Sequence, residues 1–104
     1  MEKHKEYIER SDLKGATHLE ISVYYSKGGS GYFSRGTLRR GYYLSVTPVT
    51  LGNRSVSFTI LSGYSYLLLE TKRYSPKQFA AAVEMAKEHK ERLIDAVIEK
   101  NKSA

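Results

Sequence analysis

The chain has 104 residues, 40% of them hydrophobic, no cysteine, no tryptophan and a formal net charge of +6. That length fits one domain with one lean core. The absence of cysteine excludes disulfides, thiolate metal sites and cysteine nucleophiles, and no apolar run approaches the roughly 18 residues needed to span a bilayer.

The opening residues, MEKHKEYIERSD, are charged throughout and lack the apolar stretch of a secretory signal. A cytoplasmic location is expected. The positive charge is unevenly placed. Residues 1–16 carry four basic and four acidic side chains, and residues 75–104 carry six and five. Residues 17–74 carry Lys27, Arg35, Arg39, Arg40, Arg54, Lys72 and Arg73 against only Glu20 and Glu70. The excess belongs to the middle of the chain, and a polyanion is the simplest partner for it.

Residues 1–16 read as a flexible or weakly helical N-terminal arm, followed by a single ββββα domain over residues 17–104. In residues 17–26, Leu19, Ile21, Val23 and Tyr25 alternate with His18, Glu20, Ser22 and Tyr24. That period of two predicts a half-buried strand. Residues 27–40 form a connector longer than most hairpin loops, and such loops are usually functional or disordered. Its glycines do not make a phosphate loop, because no Gly-Lys-Ser/Thr follows and no helix starts there. Residues 41–50 predict a second strand, with Tyr42, Leu44, Val46 and Pro48 on one face and Tyr43, Ser45, Thr47 and Val49 on the other. Pro48 lacks a ladder donor and marks an edge, a bulge or a strand end. Residues 55–61 predict a third strand with Val56, Phe58 and Ile60 inward. Residues 64–71 predict a fourth, whose triple leucine implies burial on both faces.

Tyr74-Ser75-Pro76-Lys77-Gln78-Phe79 is the clearest local signal. Ser75 is placed as an N-cap, Pro76 at the first helical position, Gln78 as the third residue of a capping box, and Tyr74 with Phe79 as a hydrophobic staple. The helix is expected from Pro76 to about Asn101, with Phe79, Ala82, Val83, Ala86, Leu93 and Val97 facing the core and Glu88 paired with Arg92. At about 1.5 Å per residue it is near 38 Å long, more than four short strands cover. Leu93, Ile94, Val97 and Ile98 are therefore expected to meet a partner chain in a homodimer, since apolar stripes need cover. The fold class is α+β: a curved four-stranded antiparallel sheet, a ββββα meander with one long C-terminal helix on one face.

No catalytic constellation emerges. His4, His18 and His89 have no metal spacing, no serine sits in a nucleophile elbow, and no enzyme activity, metal, cofactor or membrane partner is expected. Basic residues interleaved with aromatics over residues 27–48 instead predict a nucleic-acid-binding domain, single strands favoured. Arginines pair with phosphates, and aromatic rings stack on unpaired bases. The candidate residues are Lys27, Tyr32, Phe33, Arg35, Arg39, Arg40, Tyr42, Tyr43 and Arg54. The alternative is a protein–protein interaction module or small structural subunit using a tyrosine-rich sheet face.

The order of motifs resembles a known family. A strand and a basic turn lead into Arg40-Gly41-Tyr42-Tyr43-Leu44-Ser45-Val46. Arg54-Ser55-Val56-Ser57-Phe58-Thr59-Ile60 follows, and then a helix. This resembles the repeat of the Pur-alpha family, and the ββββα order is similar to single-stranded-DNA-binding coactivators of the positive-cofactor-four type and to Whirly proteins. The likeness covers residues 17–100 as topology and is specific over residues 40–46 and 54–60. It implies a curved sheet that holds single-stranded nucleic acid in a dimer, with Arg40 and Arg54 on phosphates and Tyr42 or Tyr43 on bases. The long 27–40 loop and the hydrophobic fourth strand depart from it. The chain is also similar to short uncharacterised proteins of bacterial mobile elements.

Overall fold

The computed structural model describes residues 3–30 and 37–102. In chain order the elements are β1 (His4–Glu9), β2 (His18–Ser26), β3 (Gly29–Ser30), β4 (Thr37–Leu38), β5 (Gly41–Leu51), β6 (Val56–Phe58), β7 (Tyr64–Glu70) and α1 (Pro76–Lys102). The class is α+β, with an open antiparallel sheet of five strands rather than four. Its order is β1-β2-β5-β6, and β7 also pairs with β5. β3 and β4 form a separate two-stranded ribbon at the start and end of the 27–40 connector. No helix among the described residues is long and apolar enough to cross a membrane.

The fifth strand comes from the segment expected to be an arm. β1 pairs with β2 from His4↔Val23 to Glu9↔His18. Tyr7, opposite Glu20, donates its hydroxyl to that carboxylate at 3.1 Å. Lys90 of α1 reaches Glu6 at 2.7 Å. The mixed charges that read as a solvated arm are thus the exposed side chains of an edge strand, where charge discourages further pairing.

β5 is the spine of the sheet, and its alternation holds. Tyr42, Leu44, Val46 and Pro48 are buried toward the helix together with Leu19, Ile21 and Val23 of β2. Pro48 lies inside this central strand, and the hydrogen-bond pattern explains how. Thr17 donates its N–H to the Val49 carbonyl, so the backbone groups of Val49 face β2 and those of Pro48 face the opposite edge. On that edge β7 pairs only as far as Val46, and β6 begins at Val49. Residues 59–63 swing out between them, so no ladder donor is missing at the proline. Gly63 returns the chain against β5 so closely that a Cβ there would collide with the Val46 carbonyl oxygen.

The third predicted strand shrinks to three residues, and its apolar side chains do not point inward. Phe58 pairs with Val49 and Val56 with Leu51, which places both on the face away from the helix. Phe58 is 72% exposed, and Ile60, on the excursion, is fully exposed. The triple leucine of β7 resolves as a bulge. Tyr42 opposes Leu69 and Tyr43 opposes Leu67, which leaves Leu68 as the extra residue, buried in the core.

α1 buries Phe79, Ala82, Ala86, Leu93, Ile94, Val97 and Ile98 against the sheet. The expected partner contact through Leu93, Ile94, Val97 and Ile98 is therefore corrected: all four are buried within this chain's own core. The extra cover comes from segments that read as loops. Leu13, from the β1–β2 connection, and Leu61, from the excursion, line a cleft with Ile98 beside the last helical turns. Arg92 does not pair with Glu88 as expected. It contacts His89 at 2.9 Å and lies over the Tyr66 ring at 5.1 Å.

Candidate functional site

Three chain segments meet at the end of the sheet where β2 finishes, β5 starts and β7 leads into α1. The helix cap organises that corner. Ser75 caps the helix, its Oγ accepting from the Gln78 N–H at 3.4 Å and its carbonyl from the Phe79 N–H at 2.8 Å. The return bond of a capping box is made by Tyr42 instead of Gln78. The Tyr42 hydroxyl accepts from the Ser75 N–H at 2.8 Å and donates to the Ser75 carbonyl at 3.0 Å. Tyr42 also packs with Tyr25, Tyr74 and Phe79, ring centroids 5.2 to 6.3 Å away. This aromatic cluster closes the core beneath the corner.

The connection above it is tied down. The Thr71 N–H donates to the Arg40 carbonyl at 3.0 Å, the Tyr25 hydroxyl to the Thr71 carbonyl at 3.4 Å, and the Thr71 hydroxyl to the Arg73 carbonyl at 3.3 Å. Gly41 permits the approach, because a Cβ there would collide with the Leu69 carbonyl oxygen. The result is a cleft of about 390 Å³ lined by Tyr25, Lys27, Arg40, Lys72, Arg73 and Tyr74. A second cleft of about 520 Å³ shares Arg40 and Lys72 and adds Glu70 and Thr71. Lys27, Arg40, Lys72 and Arg73 are exposed, and none of them makes an ion pair among the described residues. The Tyr74 hydroxyl is buried and has no hydrogen-bond partner among the described residues. Arg39 stands beside the cluster, 3.6 Å from Glu70 in an exposed pair, which contributes little by itself.

On the opposite face of the sheet, one residue away, Tyr43 stacks on Tyr24 with centroids 5.9 Å apart and planes 19° apart. The Tyr43 hydroxyl donates to the Arg39 carbonyl at 2.6 Å. Burial raises its pKa above the ordinary phenol value, and the neighbouring Tyr24 and Glu70 add to the rise. Beyond this pair the face is lined by Ser22, Ser45 and Ser65 in one cross-strand row and by Glu20 and Thr47 in the next.

The sequence-predicted residues divide accordingly. Lys27, Arg39, Arg40 and Tyr43 come together at the corner. Tyr42 does not join them: at 0% exposure it is a core residue and offers no ring to a base. Arg54 lies in the turn after β5, about 33 Å along the strand from Arg40 at ~3.3 Å per residue. Tyr32, Phe33 and Arg35 lie outside the described residues. Lys72, Arg73, Tyr25 and Tyr74 were missed. The first two had a signal, as an adjacent basic pair in the charge-rich middle of the chain. The tyrosines had none, because their place depends on pairing across 46 residues between Tyr25 and Thr71. His18 and Glu20 share a face without meeting as an acid–base pair. His18 contacts the Thr17 hydroxyl at 2.7 Å, and Glu20 is engaged by Tyr7 and Lys5.

Comparison with protein-family models, with curated proteins and with solved structures finds no match. The geometry of the corner is therefore the basis for a functional reading.

Proposed function

We propose that this protein binds nucleic acid, single strands in preference to duplex, at the cationic corner formed by Lys27, Arg40, Lys72 and Arg73. The observation that carries the reading is that these four cations, drawn from the two ends of the 27–40 connector and from the β7–α1 connection, converge on one cleft without a carboxylate partner among the described residues. Four like charges held together gain most from a partner that spaces negative charge along a chain. Phosphates occupy the cleft, and the Tyr24–Tyr43 pair, on the opposite face at the same end of the sheet, takes unstacked bases. The exposed side of α1 interleaves Glu84, Glu88, Glu91, Asp95 and Glu99 with Lys77, Lys87, Arg92, Lys100 and Lys102, so it offers a polyanion no positive excess comparable to that of the corner. A second reading, protein recognition through the open sheet face, has its support in the uncovered Val56 and Phe58 on that face.

The test is the salt dependence of oligonucleotide binding by fluorescence anisotropy. Arg40→Ala and Lys72→Ala each lower affinity and reduce the slope of log K against log salt by about 0.7, the amount per phosphate contact on a single strand. Arg54→Ala, at the far end of β5, leaves both unchanged. A slope that responds to Arg54 and ignores Arg40 and Lys72 would contradict the placement.

A further inference from the structure

We propose that the free edge of β6 is a self-association surface on which a second copy of this chain pairs antiparallel, about a two-fold axis at Ser57. The backbone pattern supplies the geometry. Val49 turns its backbone groups toward β2, accepting from Thr17, so Thr50 turns its own toward β6. Ser57, paired with Thr50, faces inward. Val56 and Phe58 therefore direct their N–H and C=O groups out of the sheet. Among the described residues, no turn, loop or cap hydrogen bond reaches them. Their side chains lie on the helix-free face, Val56 39% and Phe58 72% exposed.

Edges of this kind are normally guarded by charge or proline. The opposite edge, β1, carries His4, Lys5, Glu6 and Glu9. The β6 edge has no such guard, for residues 55–69 contain no charged side chain at all in a chain of net charge +6.

The occupant is a second copy because of charge and of pattern. Two copies of a basic protein repel each other except where their contact is charge-free and their cations are remote. The cationic corner lies at the other end of β5. Val56-Ser57-Phe58 is also complementary to itself when reversed. Ser57 meets Ser57, and Val56 of each copy lies opposite Phe58 of the other. The outward-facing groups of both pairs close the ladder, and the two exposed apolar side chains cover each other. In this register Arg54 of one copy falls opposite Ile60 of the other, so no two charges meet. Pairing over so short a strand gives a dimer that dissociates on dilution.

Sedimentation velocity across a dilution series tests this, with far-ultraviolet circular dichroism confirming that each variant is folded. The wild-type chain is expected to shift from monomer to dimer with concentration. Phe58→Lys and Val56→Glu, each at an exposed position, are expected to stay monomeric alone. Mixed in equal amounts they are expected to dimerise, because the register sets one substituted position against the other. A wild-type chain that stays monomeric throughout would overturn the proposal, as would a dimer that survives Phe58→Lys or a mixture that stays monomeric.

Discussion

Tyr42 and Tyr43 are neighbours with the same side chain and opposite roles. Tyr42 is buried and spends its hydroxyl on both backbone groups of Ser75. Tyr42→Phe keeps the ring and strands a part-buried N–H, which costs about 1–3 kcal/mol of stability; chemical denaturation measures the loss, and oligonucleotide affinity at saturating folded fraction stays as it was. Under the proposed binding mode, Tyr43→Ala is expected to show the reverse profile: a fold that persists and a binding loss of about 1–3 kcal/mol per stacked base. Alternation in the sequence put the two on opposite faces without deciding which went inward, since tyrosine suits either. The decision comes from Ser75, 33 residues away. Tyr43 also makes a pH prediction. Its pKa is raised in the folded protein, chiefly by burial, so the neutral hydroxyl is the favoured form there. Its contribution to stability is complete below the ordinary phenol range, near 10, and is lost as pH climbs through the raised folded value. Ultraviolet titration of wild type against Tyr43→Phe should show one phenol ionising later than the unfolded chain's tyrosines.

Elements are legible in the sequence where local chemistry decides them and not where distant pairing does. The helix was legible because Ser75, Pro76 and the apolar spacing from Phe79 all act within a few residues. β2 and β5 were legible from their period of two. β1 was not, because an edge strand with charge on its open side has the composition of a solvated arm. Nor was the interrupted edge made by β6, the excursion and β7, whose cause is the backbone orientation of Pro48. That interruption depends on Gly63 at the point where the chain rejoins β5. Gly63→Ala forces a methyl group into the Val46 carbonyl and is expected to cost about 1–3 kcal/mol as overpacking does, read as a lower urea midpoint with an unchanged slope. A neutral Gly63→Ala would mean that the rejoining strand is looser than described.

Across the molecule, charge and fold divide the labour. One face of the sheet is consumed by α1, whose stripe is satisfied within the chain to its last turns. The other face carries the Tyr24–Tyr43 pair at the cationic end and the exposed Val56 and Phe58 at the far end, next to the turn that holds Arg54. The positive excess of residues 17–74 was readable from the sequence. That it gathers from three chain segments into one cleft was not, because Lys72 and Arg73 are brought to Arg40 by the long-range Gly41↔Glu70 pairing and the Thr71–Arg40 backbone bond. Arg54 shared the charge and the sequence context and fell at the wrong end of the spine. In the proposed binding mode the cleft, and not the rest of the basic surface, holds the strand. Backbone amide shifts of the isotope-labelled protein, followed during titration with a short single-stranded oligonucleotide, test it most directly. Perturbations are expected to concentrate in residues 25–28, 39–43 and 71–74 and to be weaker for the matching duplex. Perturbations centred on the turn at Arg54 or on the exposed side of α1, or none from a folded protein at low salt, would contradict that binding mode.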